Sequence, residues 1–278
     1  MYGTSYNEDW SEMMELLYWF FFFIIYSFIG WFYESTLCSI TGKKFVNRGF
    51  LNGPICPVYG FGSLLVILTL YGDSMDILPL FLSSIVLTTL VEYVTAVILE
   101  KLFNAKWWDY SGRPFNIHGR VYLLGALVFA TLSVLVINYL HPAISSFILS
   151  VPENLLIIAG SLIFLFLTFD LFFTVRHLLL LSGRLAAVME EFDRFVREGV
   201  LKVEDMKQIL QNHIEGTVLY TDRMKNLFQK GRFQNRRLFN AFPEFRPLKE
   251  NEIFNKLKNT FVENKKKFND KIKQMREP

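Results

Sequence analysis

The chain has 278 residues, 52% of them hydrophobic and 17% aromatic, with a formal net charge of only +3 and a mean hydropathy of +0.28. That balance points away from an ordinary soluble domain and toward an integral membrane protein. Its two cysteines, Cys38 and Cys56, have no CxxC or Cys/His spacing around them, which excludes a disulfide framework and a zinc site.

Residues 1–15 form an acidic amino-terminal segment without Lys or Arg. That is the wrong flank for a cleavable signal peptide, so the first apolar run is expected to stay in the mature protein. A helix needs about 20 apolar residues to cross the hydrocarbon core. Five runs meet or approach this length, at 16–40, 55–72, 77–99, 121–140 and 154–176. The links at 71–76 and 141–153 contain no Lys or Arg, whereas Lys43, Lys44 and Arg48 follow the first run and Lys101, Lys106, Arg113 and Arg120 follow the third. Arg176 opens the tail. Basic residues near span ends favour the cytoplasm. The sequence therefore predicts an all-α polytopic protein of the cell membrane, with five spans in residues 16–176, the amino terminus outside and the carboxyl terminus inside. Trp10, Trp19, Trp31, Trp107 and Trp108 suit interfacial positions.

The densest irregularity is at residues 47–62, NRGFLNGPICPVYGFG, with four glycines, two prolines and an arginine running into the second span. Gly and Pro at that density break a helix, and broken backbone at membrane depth survives only where protein or a watery cavity satisfies it. With this orientation Glu34, Glu92, Glu100 and Asp170 all fall in the inner half of the bilayer, level with that break. Intramembrane acids are costly unless paired, and Arg48 and Arg120 are the nearest basic candidates for Glu34 and Glu92. Glu100 reads as a headgroup-level residue, and Asp170 as interfacial or bonded to a neighbouring helix. A structural ion pair, and a tight turn with close packing through Gly60 and Gly62, are the plainer readings of the same residues.

The loop at 100–120, EKLFNAKWWDYSGRPFNIHGR, is the other dense region. Trp107, Trp108 and Tyr110 would lie along the inner interface, and Asp109 can pair with a nearby arginine. Asn116 and Arg120 suit phosphate or carboxylate contacts, while an aromatic belt with a salt bridge is the plainer alternative. The four histidines lie in separate segments, so no Ser/His/Asp arrangement or metal site is predicted, and no Walker-type GxxxxGK[ST] occurs.

Residues 177–278 form a cytoplasmic tail. Leu181, Leu185, Val188, Met189, Phe192, Phe195 and Val196 recur at helical spacing and continue the fifth span. A second helix is predicted at about 202–229, giving a coiled-coil-like antiparallel hairpin. A basic amphipathic helix follows at about 250–275, after a connector marked by Gly231, Pro243 and Pro247. The terminal helix suits packing on the hairpin, anionic lipid or another subunit; nucleic acid is not an expected partner.

Together, GW and Glu34 in the first span, NRGFLNGP with PVYGFG, VEY around Glu92, Glu100, WWDYS and FNIHGR resemble the bacterial integral membrane family described as putative ABC-transporter type IV, or CmpB-like. The resemblance covers roughly residues 18–145, with a looser echo at RRLFNAFPEFRP in the tail. It implies a permease, and the missing P-loop then implies a separate ATPase subunit. The candidate substrate-binding or coupling residues are Glu34, Asn47, Arg48, Pro54, Pro57, Tyr59, Glu92, Trp108, Asp109, Asn116 and Arg120, with no cofactor, no metal and no enzymatic activity expected. Membrane lipids and further copies of the chain are the other expected partners. A non-transporting scaffold whose tail recruits a partner is the competing reading. An intramembrane enzyme using Glu34, Glu92 or Asp109 ranks below both, because carboxylates without a nucleophile or metal motif are poor catalysts.

Overall fold

The computed structural model describes residues 3–72, 75–197, 237–238, 241–242 and 246–247. The predicted tail helices at 202–229 and 250–275 lie outside the described residues. The chain is mostly helical. Among the described residues the long elements are α1 (Gly3–Gly42), α2 (Pro57–Leu70), α3 (Ile77–Phe103), α4 (Leu123–Leu135), α5 (His141–Ser150) and α6 (Glu153–Arg197). Four two-residue strands are the exception to the all-α expectation. β1 (Ala105–Lys106) pairs antiparallel with β4 (Arg246–Pro247), and β2 (Asn116–Ile117) with β3 (Val121–Tyr122).

Among the described residues four helices are long and apolar enough to cross a membrane: Trp10–Gly42, Ile77–Phe103, Leu123–Ser150 and Glu153–Leu181. Large apolar side chains such as Phe32, Ile40, Leu82, Val86, Phe164 and Phe166 stand exposed along them, as expected where the surrounding solvent is lipid. The chain is thus a multi-pass membrane protein. The run expected as the second span forms a helix of 14 residues, about 21 Å at ~1.5 Å per residue and shorter than a hydrocarbon core of ~30 Å. The acidic amino-terminal segment is already helical from Gly3, as the start of α1.

The fourth span is longer than its sequence suggests. His141 and Pro142 read as the start of a link, yet the helix runs on from α4 through a π-helical turn, Val136–Leu140, into α5. Proline lacks the N–H for an i→i−4 bond and clashes with the carbonyl one turn back. The wider π turn lies immediately before it, and Pro142 sits in the first turn of α5, where its missing donor matters least. The true link shrinks to Val151 and Pro152.

Helices α1 and α2 form the tightest pair, meeting through reciprocal glycines. A Cβ on Gly30 would lie 2.1 Å from Tyr59 Cγ, and one on Gly60 would lie 2.2 Å from Ser27 Oγ. The Ser27 carbonyl also accepts the Cys56 N–H at 3.0 Å. Small residues that let backbones approach are the usual means of packing helices in lipid. Two apolar cores result. One, around Phe22, Tyr26, Val66, Ile67, Leu80, Ile137 and Ile148, joins α1, α2, α3, the π turn and α5. The other, around Phe103, Trp107, Leu178, Leu181, Leu238, Ala241 and Phe242, joins α3, the 104–122 loop, α6 and the tail.

Replacing Gly60 by Ala should destabilise the protein by about 1–3 kcal/mol through overpacking against Ser27 and Phe23. Gly183→Ala, with open space at its Cβ, should be neutral or stabilise helix α6 by about 0.5–1 kcal/mol. Thermal unfolding of both variants in detergent checks the contrast.

Candidate functional site

The connection from α1 to α2 is irregular, and almost every described polar group near it is recruited to hold it. Ser39 Oγ accepts the Val46 N–H at 2.9 Å, and Ser35 Oγ accepts that of Arg48 at 3.1 Å. Asn47 is an internal brace. Its Oδ1 accepts from Trp31 Nε1 at 2.7 Å and from the Gly49 N–H at 3.1 Å, and its Nδ2 donates to the Asn52 carbonyl. From α6, Asp170 accepts the Asn52 N–H, the Asn52 side-chain amide and the Gly53 N–H at 3.1, 2.8 and 2.7 Å. Thr174 adds a further bond to Asp170 at 3.0 Å. The tail completes the set: Arg237 donates to the carbonyls of Gly49, Phe50 and Leu51. Asp170, read from sequence as interfacial or bonded to a neighbouring helix, bonds the α1–α2 loop instead of a neighbouring helix.

Holding the loop in this way leaves a cavity of about 410 Å³ between the two cores. Glu34 from α1, Arg48 from the loop, Pro57 and Tyr59 from α2, Glu92 from α3 and Trp108 from the 104–122 loop all line it. The Tyr59 hydroxyl donates to Glu34 Oε1 at 2.5 Å, and Arg48 Nε stands 3.5 Å from Glu34 Oε2. Arg48 also donates through Nη1 to the Ala241 carbonyl and stacks over the Phe242 ring at 4.9 Å. Glu92 differs from Glu34. Its Oε2 is sealed from solvent and has no hydrogen-bond partner among the described residues.

Arg120 joins Glu100 rather than Glu92. Its Nη2 and Nε lie 2.6 and 3.0 Å from Glu100 Oε2, and its Nη1 donates to the Tyr93 hydroxyl at 3.2 Å. Glu100 is buried within the protein, and this fork–carboxylate pair compensates its charge. The hydrogen bonds from Arg120 to Glu100 raise the guanidinium pKa further, so Arg120 keeps its charge. Asp109 holds the turn after it, accepting from the Ser111 N–H at 3.0 Å and the Ser111 hydroxyl at 2.6 Å. Asn116 ties the same loop, donating to the carbonyls of Ser111 and Arg113 and accepting the Gly119 N–H. Neither Asp109, Asn116 nor Arg120 lines the cavity, and Pro54 is exposed outside it. A β-turn closes at Ile117–Arg120 with His118 and Gly119 both at positive φ, the pattern of tight hairpins.

The aromatic residues of this loop are not an interfacial belt. Trp107 is 2% exposed, packed edge-on against Phe242 and Phe103 and tilted against Phe50. Trp108 donates its Nε1–H to the Arg120 carbonyl at 2.8 Å, and Tyr110 also faces the cavity. Burial first, then proximity to Glu92 and Glu34, pushes the Tyr110 phenol above its ordinary range, so it remains a neutral hydroxyl. The sequence reading misses Cys56, Phe129 and Phe242 as wall residues. Two of them had a signal: Cys56 lies within the Gly/Pro-rich stretch 47–62, and Phe242 in the aromatic motif RRLFNAFPEFRP that stands out in a charged tail.

Asp170→Asn replaces one of two acceptor oxygens, which together face three N–H groups, by a donor, and should cost about 1.5–3 kcal/mol of stability. Limited proteolysis should show faster cleavage within 43–56, and thermal unfolding in detergent the lower stability.

A sequence model of one family matches residues 21–175, a stretch that contains Glu34, Arg48, Tyr59, Glu92, Trp108 and Asp170 and stops before the docked tail. No curated protein and no solved structure matches the chain. The matched stretch is more than half of the 278 residues, and the chain belongs to the family described as "Putative ABC-transporter type IV".

Proposed function

We propose that the chain is the membrane-embedded permease subunit of a transporter in the plasma membrane. In this reading α2 completes a five-span domain with the amino terminus outside, and the cavity opens toward the inner leaflet. The single observation that carries it is the cavity itself, built at a broken helix connection and holding Glu34, Arg48 and Glu92. Interrupted helices at membrane depth are where transporters place binding and coupling groups, and intramembrane acids mark substrate or proton paths. The orientation rests on the basic residues of the loops at 43–48 and 101–120. Energy would come from a separate ATPase subunit, because the chain has no phosphate-binding loop of its own.

The scaffold reading keeps one supporting observation, the docking of tail residues on the membrane core. Deleting the whole tail would not separate the two readings, since Leu238, Ala241 and Phe242 belong to a core and Phe242 to the cavity wall. Truncation after Pro247 leaves those residues in place. A transporter should then retain binding and flux, whereas a scaffold working through the terminal basic segment should lose its function.

The direct test uses inverted membrane vesicles carrying the full chain and its co-purifying partners, supplied with a cell extract and ATP. Solute content read by mass spectrometry should show an ATP-dependent gain over vesicles lacking the chain. That gain should fall at least about tenfold in the Glu34→Gln/Glu92→Gln double variant, the loss expected when two membrane-embedded charges are removed. An unchanged gain in the double variant would sink the coupling role of these acids, and the absence of any ATPase in cross-linked preparations would sink the permease assignment.

A further inference from the structure

Resting on the reading of the cavity as a substrate site, we propose that its ligand is an organic cation with an apolar, partly aromatic body. The charges facing the cavity come from three elements: Glu34 on α1, Arg48 on the loop and Glu92 on α3. Glu34 is already answered, by Arg48 at 3.5 Å and by the Tyr59 hydroxyl at 2.5 Å. Arg48 is also engaged, with Glu34, the Ala241 carbonyl and the Phe242 ring. Among the described residues lining the cavity, an anion would find only a cation that is already engaged, and a carboxylate oxygen of Glu92 without a partner. A neutral apolar molecule would leave Glu92 as it stands, with Oε2 buried and unpartnered among the described residues. A neutral donor could satisfy that oxygen alone, whereas a cation would answer both the acid and the aromatic walls.

The walls agree with the charge. Trp107, Trp108, Tyr110, Phe50, Phe129 and Phe242 line the cavity with the acid, and aromatic faces attract cations through their quadrupoles, most strongly where water is excluded. Pockets of roughly 300–1,000 Å³ hold molecules of drug-like size, so 410 Å³ admits a ring-bearing cation or the ammonium headgroup of a lipid with part of its chains. Both sources present the same chemistry, a positive charge on an apolar frame.

Tetraphenylphosphonium and tetraphenylborate have nearly one shape and opposite charge, so they isolate that chemistry. Equilibrium dialysis of each probe against the purified full chain in a non-ionic detergent, corrected for empty micelles, should show saturable binding of the phosphonium and none of the borate. Glu92→Gln should weaken phosphonium binding by about tenfold or more, as loss of a single charge in a low-dielectric site does. Phe129→Leu, which keeps the wall apolar and removes one ring, should weaken it several-fold. Asp76→Asn, at the far end of α3, should leave it unchanged. Unfolding temperatures measured alongside confirm that each variant is folded. In nanodiscs of phosphatidylglycerol, competition by added phosphatidylethanolamine would assign the cation to a lipid headgroup; no competition would assign it to a free solute. Borate binding as well as phosphonium, or phosphonium binding unaltered by Glu92→Gln, would overturn the inference while leaving transport of another ligand class open. Glu92-dependent phosphonium binding without any ATP-dependent accumulation in vesicles would instead uphold the cation site and count against the permease.

Discussion

The constraint on which the structure depends is the satisfaction of a non-helical backbone packed among apolar helices. The loop between α1 and α2 must place its N–H and C=O groups somewhere, and at membrane depth water is not the default partner. The chain answers with side chains drawn from three directions. Ser35 and Ser39 reach back from the helix the loop has just left, Asp170 reaches in from α6 with three donors bound, and Arg237 closes three successive carbonyls from the tail. Each of these bonds is also a tether. Satisfying the loop fixes α1, α2, α6 and the docked tail residues relative to one another, and the cavity is the space that arrangement cannot fill.

The same tethers distribute charge unevenly around that space. Arg48 lies on the tethered loop and so is delivered to Glu34, while Tyr59 is carried to the same carboxylate by the Gly30–Gly60 packing of α1 on α2. Arg120 follows a tight hairpin turn that points it at Glu100, two helical turns beyond Glu92 on α3, and there it makes a two-nitrogen contact with one carboxylate oxygen. Two acids on one helix therefore meet different fates. Glu100 has the geometry of a structural pair, and Glu92 is left on the cavity wall. A buried pair is weak evidence of stabilisation and better evidence of fixed register, which suits Glu100; an unpaired intramembrane carboxylate is the group that function has to explain.

Much of this was legible in the sequence because it is local. The apolar runs, the Gly/Pro break, and the closeness of Glu34 to Arg48, only 14 positions apart, follow from composition and spacing. The rest depends on long-range geometry. Asp170 lies more than a hundred residues from Asn52 and Gly53, and in one dimension it is an acid near the end of a span. His141 and Pro142 carry the composition of a link, and only a π turn, which has no sequence signature of its own, lets the helix pass through them. Trp107 and Trp108 have the composition of an interfacial belt; what withdraws Trp107 from lipid is a cluster whose members come from α3, α6 and the tail. The choice of Glu100 over Glu92 as the partner of Arg120 turns on where a hairpin points a side chain, which spacing alone does not encode.

The tail is where these threads meet. Arg48 touches Glu34 on the membrane side and the Ala241 carbonyl and Phe242 ring on the tail side, while Phe242 is itself part of the cavity wall. The residue that pairs with one cavity acid is therefore also one of the residues that hold the tail. A change in either partner must be felt by the other, because affinity at two sites sharing a group is reciprocal. Withdrawing residues 241–242 would remove an aromatic face from the wall and leave the Arg48 guanidinium with fewer partners beside Glu34. The cavity wall is thus completed jointly by the membrane helices and by a segment far along the chain, outside the 21–175 stretch that carries the family match.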